Sequence, residues 1–197
     1  MPDPWKPSVT VAAVIERDGR FLLVEEETAD GVRLNQPAGH LDPGESLLAA
    51  AARETLEETA FAFTPRQLVG VYLWRAERTA GEATTYLRFA FSGELGAHDA
   101  DRALDHGILR ALWLTREEIA ARAALHRSPL VQRCVDDYLQ GVRYPLDLLN
   151  THPSALFAAG QSTRRTTASS SACPAASTPP SPPGCSNSRA TRWSACS

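Results

Sequence analysis

The chain has 197 residues, of which 43% are hydrophobic and 22% charged, with a formal net charge of −3. That length and apolar content suit one globular domain with a real core. No run of about 18 apolar residues is present, which argues against a membrane-spanning helix. The N-terminus lacks the basic and apolar regions of a secretory signal, so a cytoplasmic location is expected. The charge is uneven: from Gln161 onward there are four arginines and no acids, leaving residues 1–160 with 16 basic and 23 acidic side chains, a net of −7. This balance argues against nucleic acid as the main partner and suits a protein that recruits cations.

Residues 9–16, VTVAAVIE, are apolar and rich in β-branched residues and read as a strand. RDGR at 17–20 reads as a hairpin turn, and 21–27, FLLVEEE, as the returning strand. A shorter extended piece, VRLNQPAG, leads into a helix over 46–59, with Leu48, Ala52, Thr55, Leu56 and Thr59 as its core-facing stripe. Strands are expected over 67–76, 84–93 and 108–114. Thr115 and Glu118 form a capping box for a helix through Leu125. Ser128-Pro129 opens another that stops at Gly141. Strands interrupted by helices indicate an α/β sandwich with a mixed sheet. Among the four cysteines no CxxC pair occurs, which argues against a zinc site of that pattern; Cys134 reads as a buried thiol.

The chemistry concentrates in RETLEETAF, residues 53–61. At about 100° per residue, Glu54, Glu57 and Glu58 share one narrow helical face. Like charges at this spacing destabilise a helix, so the cluster needs a counter-charge. Arg53 is one candidate. A hard divalent cation such as Mg²⁺, which takes oxygen ligands and bridges to phosphate, accounts for the cluster better. Ala50 and Ala51, one turn back, would leave room for a bulky ligand.

The surrounding spacing is long and specific. Gly39, Glu45, Arg53, Glu54, Glu57, Glu58 and Phe61 resemble the Nudix box, G-x5-E-x7-R-E-U-x-E-E-x-G-U, where U is apolar. Thr55 stands where an aliphatic residue is usual, and Ala60 where the second glycine is usual. NQPAGHL before the box resembles the usual approach to it. RSPLV at 127–131 and GVRYPLDLL at 141–149 resemble a subgroup of bacterial Nudix phosphatases.

That resemblance implies a Nudix-type α/β/α sandwich over residues 1–158 and a metal-dependent hydrolase that cleaves phosphoric anhydrides by attack of water on phosphorus. It implies that Glu57 and Glu58 ligate Mg²⁺ (with Mn²⁺ a possible substitute), with Glu54 a further ligand or the base. The Gly39 carbonyl would complete the site, Arg53 would orient the glutamates and Glu45 would brace the loop. The general base is Glu54 or one of Asp99, Asp101 and Asp105. For substrate contacts His40, Arg75 and Arg88 are the candidates, with Trp74 and Tyr72 available to stack on a ring. The subgroup implies thiamine pyrophosphate, hydroxymethylpyrimidine diphosphate and nucleoside di- and triphosphates as substrates, and a monomer. Alternatives are another specificity of the family, such as ADP-ribose hydrolysis, and a ligand-binding module without catalysis. A left-handed helix end at Ala60 would cost about 1–2 kcal/mol, so an altered helix exit is expected there, with catalysis retained.

Residues 161–197 contain no Leu, Ile, Val, Phe, Met or Tyr, and are expected to be disordered. The segment over 171–197 can be encoded so that a second reading frame resembles the nucleotide-binding start of a PP-loop ATPase. A read-through into a neighbouring gene is one expectation, a native tail the other. No function is assigned to residues 159–197.

Overall fold

In the computed structural model, which describes residues 4–77 and 83–156, the first turn is set by two backbone conformations. Asp18 and Gly19 both have positive φ, 52° and 75°. That is the pattern of a type I′ hairpin, whose twist matches the strands it joins. It connects β2 (Glu16–Arg17) to β3 (Arg20–Thr28), preceded by β1 (Ser8–Ala13). β4 (Gly31–Asn35) and β5 (Ala38–His40) follow, then α1 (Leu47–Thr59), β6 (Phe61–Glu77), β7 (Ala83–His98), β8 (Ile108–Thr115), α2 (Arg116–Ala121) and α3 (Leu130–Leu139).

Two four-stranded sheets result. One has the order β5-β1-β7-β6, with β1 parallel to β7 and its other neighbours antiparallel, so it is the expected mixed sheet. The other gathers β2, β4 and β8 antiparallel around β3. Strand alternation divides the core between two faces. Val11, Ala13, Ile15, Leu22 and Phe91 pack with Ala50 and Ala51 of α1. Ala12, Val14, Phe21, Leu23 and Ala90 pack with Ile119 of α2 and Val131, Cys134 and Val135 of α3. β1 is therefore buried on both faces, as its unbroken apolar run requires. The fold is the expected α/β/α sandwich. No helix among the described residues is long and apolar enough to cross a membrane.

Several boundaries differ from expectation. β6 and β7 extend well beyond 67–76 and 84–93, because the two strands keep pairing from Phe61↔His98 to Glu77↔Ala83. Pro65 lies within β6, which is tolerated because β6 is the edge of its sheet. The Thr115–Glu118 capping box forms, but its helix ends at Ala121, and Ala123–Leu125 is a separate 3-10 turn. α3 begins at Leu130, with Pro129 at the cap rather than in the first turn, and ends before Gly141 (φ 79°) as expected.

The stripe assigned to α1 is displaced. Its buried residues are Ala50, Ala51, Glu54, Thr55, Glu58 and Thr59. Leu48, Ala52 and Leu56 are only half-buried. Ala50 and Ala51 are filled against the core, so they leave no space for a ligand. The acidic face is turned inward because other groups receive it, as described below. The helix exit is not altered at Ala60. Alanine takes the left-handed conformation itself (φ 59°, ψ 13°), and its N–H donates to the Leu56 carbonyl at 3.0 Å. The methyl is buried, and its burial offsets part of the roughly 1–2 kcal/mol conformational cost. The expectations placed on residues 157–197 lie outside the described residues.

Candidate active site

Arg53 is the centre of the carboxylate cluster. Its Nε and Nη2 donate to the two oxygens of Glu45 at 3.0 and 2.7 Å, a bidentate pair. Nη1 donates to Glu54 at 2.7 Å and to Glu57 at 3.0 Å. Nη2 also reaches the His40 carbonyl at 3.1 Å. One planar guanidinium thus ties α1 to β5 and to the turn before the helix. Glu45 closes that turn by accepting from the Asp42 N–H at 2.7 Å. Helical spacing puts Arg53 beside Glu57; the structure makes it the shared counter-ion of three glutamates, with its own pKa raised, chiefly by Glu45.

Glu54 and Glu58 project inward against β5. A Cβ on Gly39 would collide with the Glu54 carboxylate. The glycine of the motif is therefore required because the carboxylate occupies the space a side chain would fill. Glu58 accepts from the Ala38 N–H at 2.9 Å and is only 9% exposed. Burial, aided by the charges of Glu54, Glu26 and Asp105, pushes its pKa up to about 9, against the lowering by the Ala38 N–H. Burial also raises Glu54, partly countered by Arg53.

These shifts set a pH dependence. An acid whose folded pKa lies above its ordinary value of 4.5 contributes stability that is complete below 4.5 and is lost as pH rises toward about 9. In chelator, the melting temperature is expected to fall between pH 6 and 8.5, and a divalent cation should restore part of the loss at the higher pH. A flat or rising melting temperature in chelator would contradict this.

The donor set suits a hard divalent cation. Three carboxylates occupy neighbouring turns, and the raised pKa of Glu58 marks a proton that a cation could displace. Among the described residues no three His, Cys, Asp or Glu side chains close into a ready-made metal cage, since Arg53 holds Glu54 and Glu57. Mg²⁺ does not need such a cage, because it keeps waters and shares its shell with phosphate.

The loop acids divide. The Asp105 N–H donates to the Glu57 carbonyl at 2.9 Å, and the Asp105 charge is felt at both Glu54 and Glu58. All three acids, Asp99, Asp101 and Asp105, are exposed, so it is this contact with α1 and not burial that sets Asp105 apart. His40 is exposed, with its ring tilted against Tyr86 at 6.4 Å. Arg88 is buried rather than solvent-facing. Burial lowers its pKa, against the charges of Glu26 and Glu58, and its Nη1 reaches Asn35 at 3.4 Å. Arg75 is not brought to this neighbourhood: it is exposed on β6, the strand at the far edge of the sheet from β5. Tyr72 is a core residue whose hydroxyl donates to Asp137 at 2.9 Å. Trp74 instead stacks on Tyr86 (5.7 Å, 20°) and lines an open cleft of about 520 Å³ with His126, Arg127, Ser128 and Gln132. The box glutamates do not line that cleft; the row Trp74–Tyr86–His40 leads from it to β5, where the His40 carbonyl accepts from Arg53. Sequence reasoning missed Glu26 and the 126–132 wall, which converge only through long-range packing.

The fold and this box define the class: the NUDIX domain model matches residues 4–134, and the chain belongs to the Nudix family. It is a hydrolase acting on phosphoric anhydrides. Among curated relatives, it is 40% identical over 145 residues to Phosphatase NudJ of Escherichia coli (strain K12), covering 74% of this chain and 92% of the relative. The NudJ of Shigella flexneri matches equally. Among solved structures, a NUDIX hydrolase from Nitrosomonas europaea is 54% identical with a TM-score of 0.71, covering 75% of this chain and 99% of that one. A MutT NUDIX hydrolase from Burkholderia pseudomallei shares the fold at 20% identity, with a TM-score of 0.55, covering 68% of this chain and 98% of that one.

Proposed function

We propose that the chain is a Mg²⁺-dependent phosphatase of small diphosphates and nucleotides, with Mn²⁺ able to substitute. Its substrates would be thiamine pyrophosphate, hydroxymethylpyrimidine diphosphate and nucleoside di- and triphosphates. The observation that carries this reading is the inward carboxylate face of α1, held by Arg53 against β5. Similarity to proteins named Phosphatase NudJ supports the choice of a phosphatase within the family. In this reading Glu54, Glu57, Glu58 and the Gly39 carbonyl hold the metal. When bound, the metal would neutralise the diphosphate and lower the pKa of a water.

The chain's own residues do the rest. Arg53 fixes the directions of Glu54 and Glu57 and Glu45 braces Arg53, so the carboxylates need little reorganisation when substrate arrives. Asp105 is the loop acid placed to accept a proton from attacking water, with Glu54 the alternative. Arg88 and His40 lie beside the path from the box to the cleft and are assigned to the phosphates; Arg75 is not. Residues 1–158 form the catalytic unit and 159–197 lie outside it, consistent with a relative covered to 92% by a 145-residue match. A monomer working in the cytoplasm on small molecules completes the proposal.

The test is a panel assay on the full chain with Mg²⁺, following orthophosphate against nucleoside monophosphate. Orthophosphate release from thiamine pyrophosphate is expected. Its absence, together with AMP release from ADP-ribose, would overturn the substrate assignment.

A further inference from the structure

The chain after α3 runs back across the α1 side of the core and reaches the turn of the box. It leaves α3 through a helix stop. The Gly141 N–H donates to the Tyr138 carbonyl and the Val142 N–H to the Asp137 carbonyl, both at 3.1 Å. Arg143 lies over the Tyr138 ring at 3.7 Å and donates to the Tyr138 carbonyl, which fixes the exit. Tyr144 then exchanges two backbone hydrogen bonds with Leu68 of β6, at 2.8 and 2.9 Å. Pro145 holds φ at −66° and opens a 3-10 turn over Leu146–Leu148. Residues three apart eclipse in such a turn, so Leu146 and Leu149 share a face. Both pack on the cluster that holds Ala50 and Ala51 of α1, while Leu148 is 65% exposed. A second 3-10 turn, Pro153–Ala155, is capped by His152, and Leu156 pairs in parallel with Gly44.

Gly44 lies in the turn between β5 and α1. Other groups tie the two ends of that turn. The Leu41 N–H donates to the Val9 carbonyl at 3.1 Å, and Ser46 caps α1 through the Ala49 N–H at 3.1 Å. Its middle is Pro43, which has no N–H, and Gly44, which is left-handed at φ 88°. With one donor and one side chain missing there, the middle of the turn draws support from the neighbouring segment. On its other side the turn carries Asp42 and Glu45. The Asp42 N–H donates to Glu45, and Glu45 takes both Nε and Nη2 of Arg53. A displaced turn therefore displaces Glu45, and with it the guanidinium that directs Glu54 and Glu57.

We propose that residues 142–156 are a positioning strap for the carboxylate cluster, seated by Leu146 and Leu149 and closed by Leu156 on Gly44. The inference rests on the metal-binding reading of Glu54 and Glu57 only for its effect on rate; the hold on the turn is independent of it. The strap acts through Glu45 and Arg53 rather than on substrate. Displacing a positioned group by about 1 Å costs up to about 10²-fold in rate, so the strap governs kcat more than substrate affinity.

Leu149→Ala in the full chain tests this, with backbone N–H exchange followed by NMR in chelator and steady-state kinetics in Mg²⁺. In chelator the Asp42 N–H is expected to exchange about tenfold faster than in wild type, while those of β1 and β7 change less than about twofold. For the diphosphate hydrolysed fastest, kcat should fall about tenfold with KM within about twofold, and half-saturation by Mg²⁺ should need more metal. Leu149→Met, which keeps the volume, should restore all of these. Leu149→Val, a smaller loss, should give the same pattern at lower amplitude and carries the test if Leu149→Ala does not fold. Two controls separate positioning from stability. Leu148→Ala changes an exposed side chain of the strap and should behave as wild type. Ile119→Val removes a methyl from the other core cluster, so it should lower the melting temperature with Asp42 exchange and kcat unmoved. Asp42 exchange within about twofold of wild type in folded Leu149→Ala would overturn the proposal, as would faster exchange with unchanged kcat. The expected exchange pattern in a chain that hydrolyses no panel substrate would leave the hold on the turn standing and remove the phosphatase reading.

Discussion

Glu57→Gln is expected to lower kcat/KM for the best diphosphate substrate by about 10²–10³-fold, comparable to losing one electrostatic group of an active site, because on the proposed reading it removes an anionic ligand of the cation that neutralises the diphosphate. The change is nearly isosteric. The glutamine oxygen can still accept from Arg53, so the geometry of the cluster is kept while one unit of charge is lost. Glu57 keeps 28% side-chain exposure, so folding should be little affected. The parallel change at Glu58 separates two roles. Glu58 is buried and pushed up to about 9, so it is protonated in the metal-free protein at neutral pH. Glu58→Gln should therefore raise the melting temperature in chelator while also removing activity. Steady-state rates and melting curves on both variants check this. Activity within about threefold of wild type in Glu57→Gln would show that the metal face has been misplaced.

Arg53→Ala is expected to destabilise the fold by about 3 kcal/mol, the lower end for removing one partner from a buried charge cluster. The lower end applies because Arg53 retains 24% side-chain exposure. The loss leaves Glu45, Glu54 and Glu57 facing one another without their shared counter-ion and frees the turn from β5. Arg53→Lys should recover little of it. One ammonium cannot reproduce a bidentate pair with Glu45 together with bonds to Glu54, Glu57 and the His40 carbonyl. Urea denaturation measures the difference directly. A shift below about 1 kcal/mol in Arg53→Ala would mean that the glutamates are held by something else.

Features written in short spacings are legible in the amino-acid sequence alone. The Asp18-Gly19 turn, the Thr115–Glu118 capping box and the stop at Gly141 each depend on residues a few positions apart. The box is of the same kind, since Gly39, Glu45 and the glutamates of α1 meet through one turn and one helix. The core stripe of α1 is not legible in this way, for a physical reason. Periodicity shows which residues share a face, but not which face a neighbouring element will cover. A carboxylate is ordinarily expected to look outward. Here Glu54 and Glu58 look inward, because Gly39 has no side chain and the Ala38 N–H needs an acceptor.

By itself, then, the sequence determined the family, the order of elements, the carboxylate face and the arginine beside it. All of these are encoded in local spacing. Only the tertiary structure decided which groups surround that face. Pairing of β1 with β5 and β7 set His40 and Arg88 on either side of Thr10. Packing of α3 brought the Val131 carbonyl to the Gln36 amide across 95 positions of chain. The same packing made Trp74, and not Tyr72, the aromatic that faces the cleft. Contact between the loop before β8 and α1 set the Asp105 N–H on the Glu57 carbonyl, and burial lifted the proton affinity of Glu58. Burial, charge coupling and stacking act through space, over distances that sequence separation does not measure.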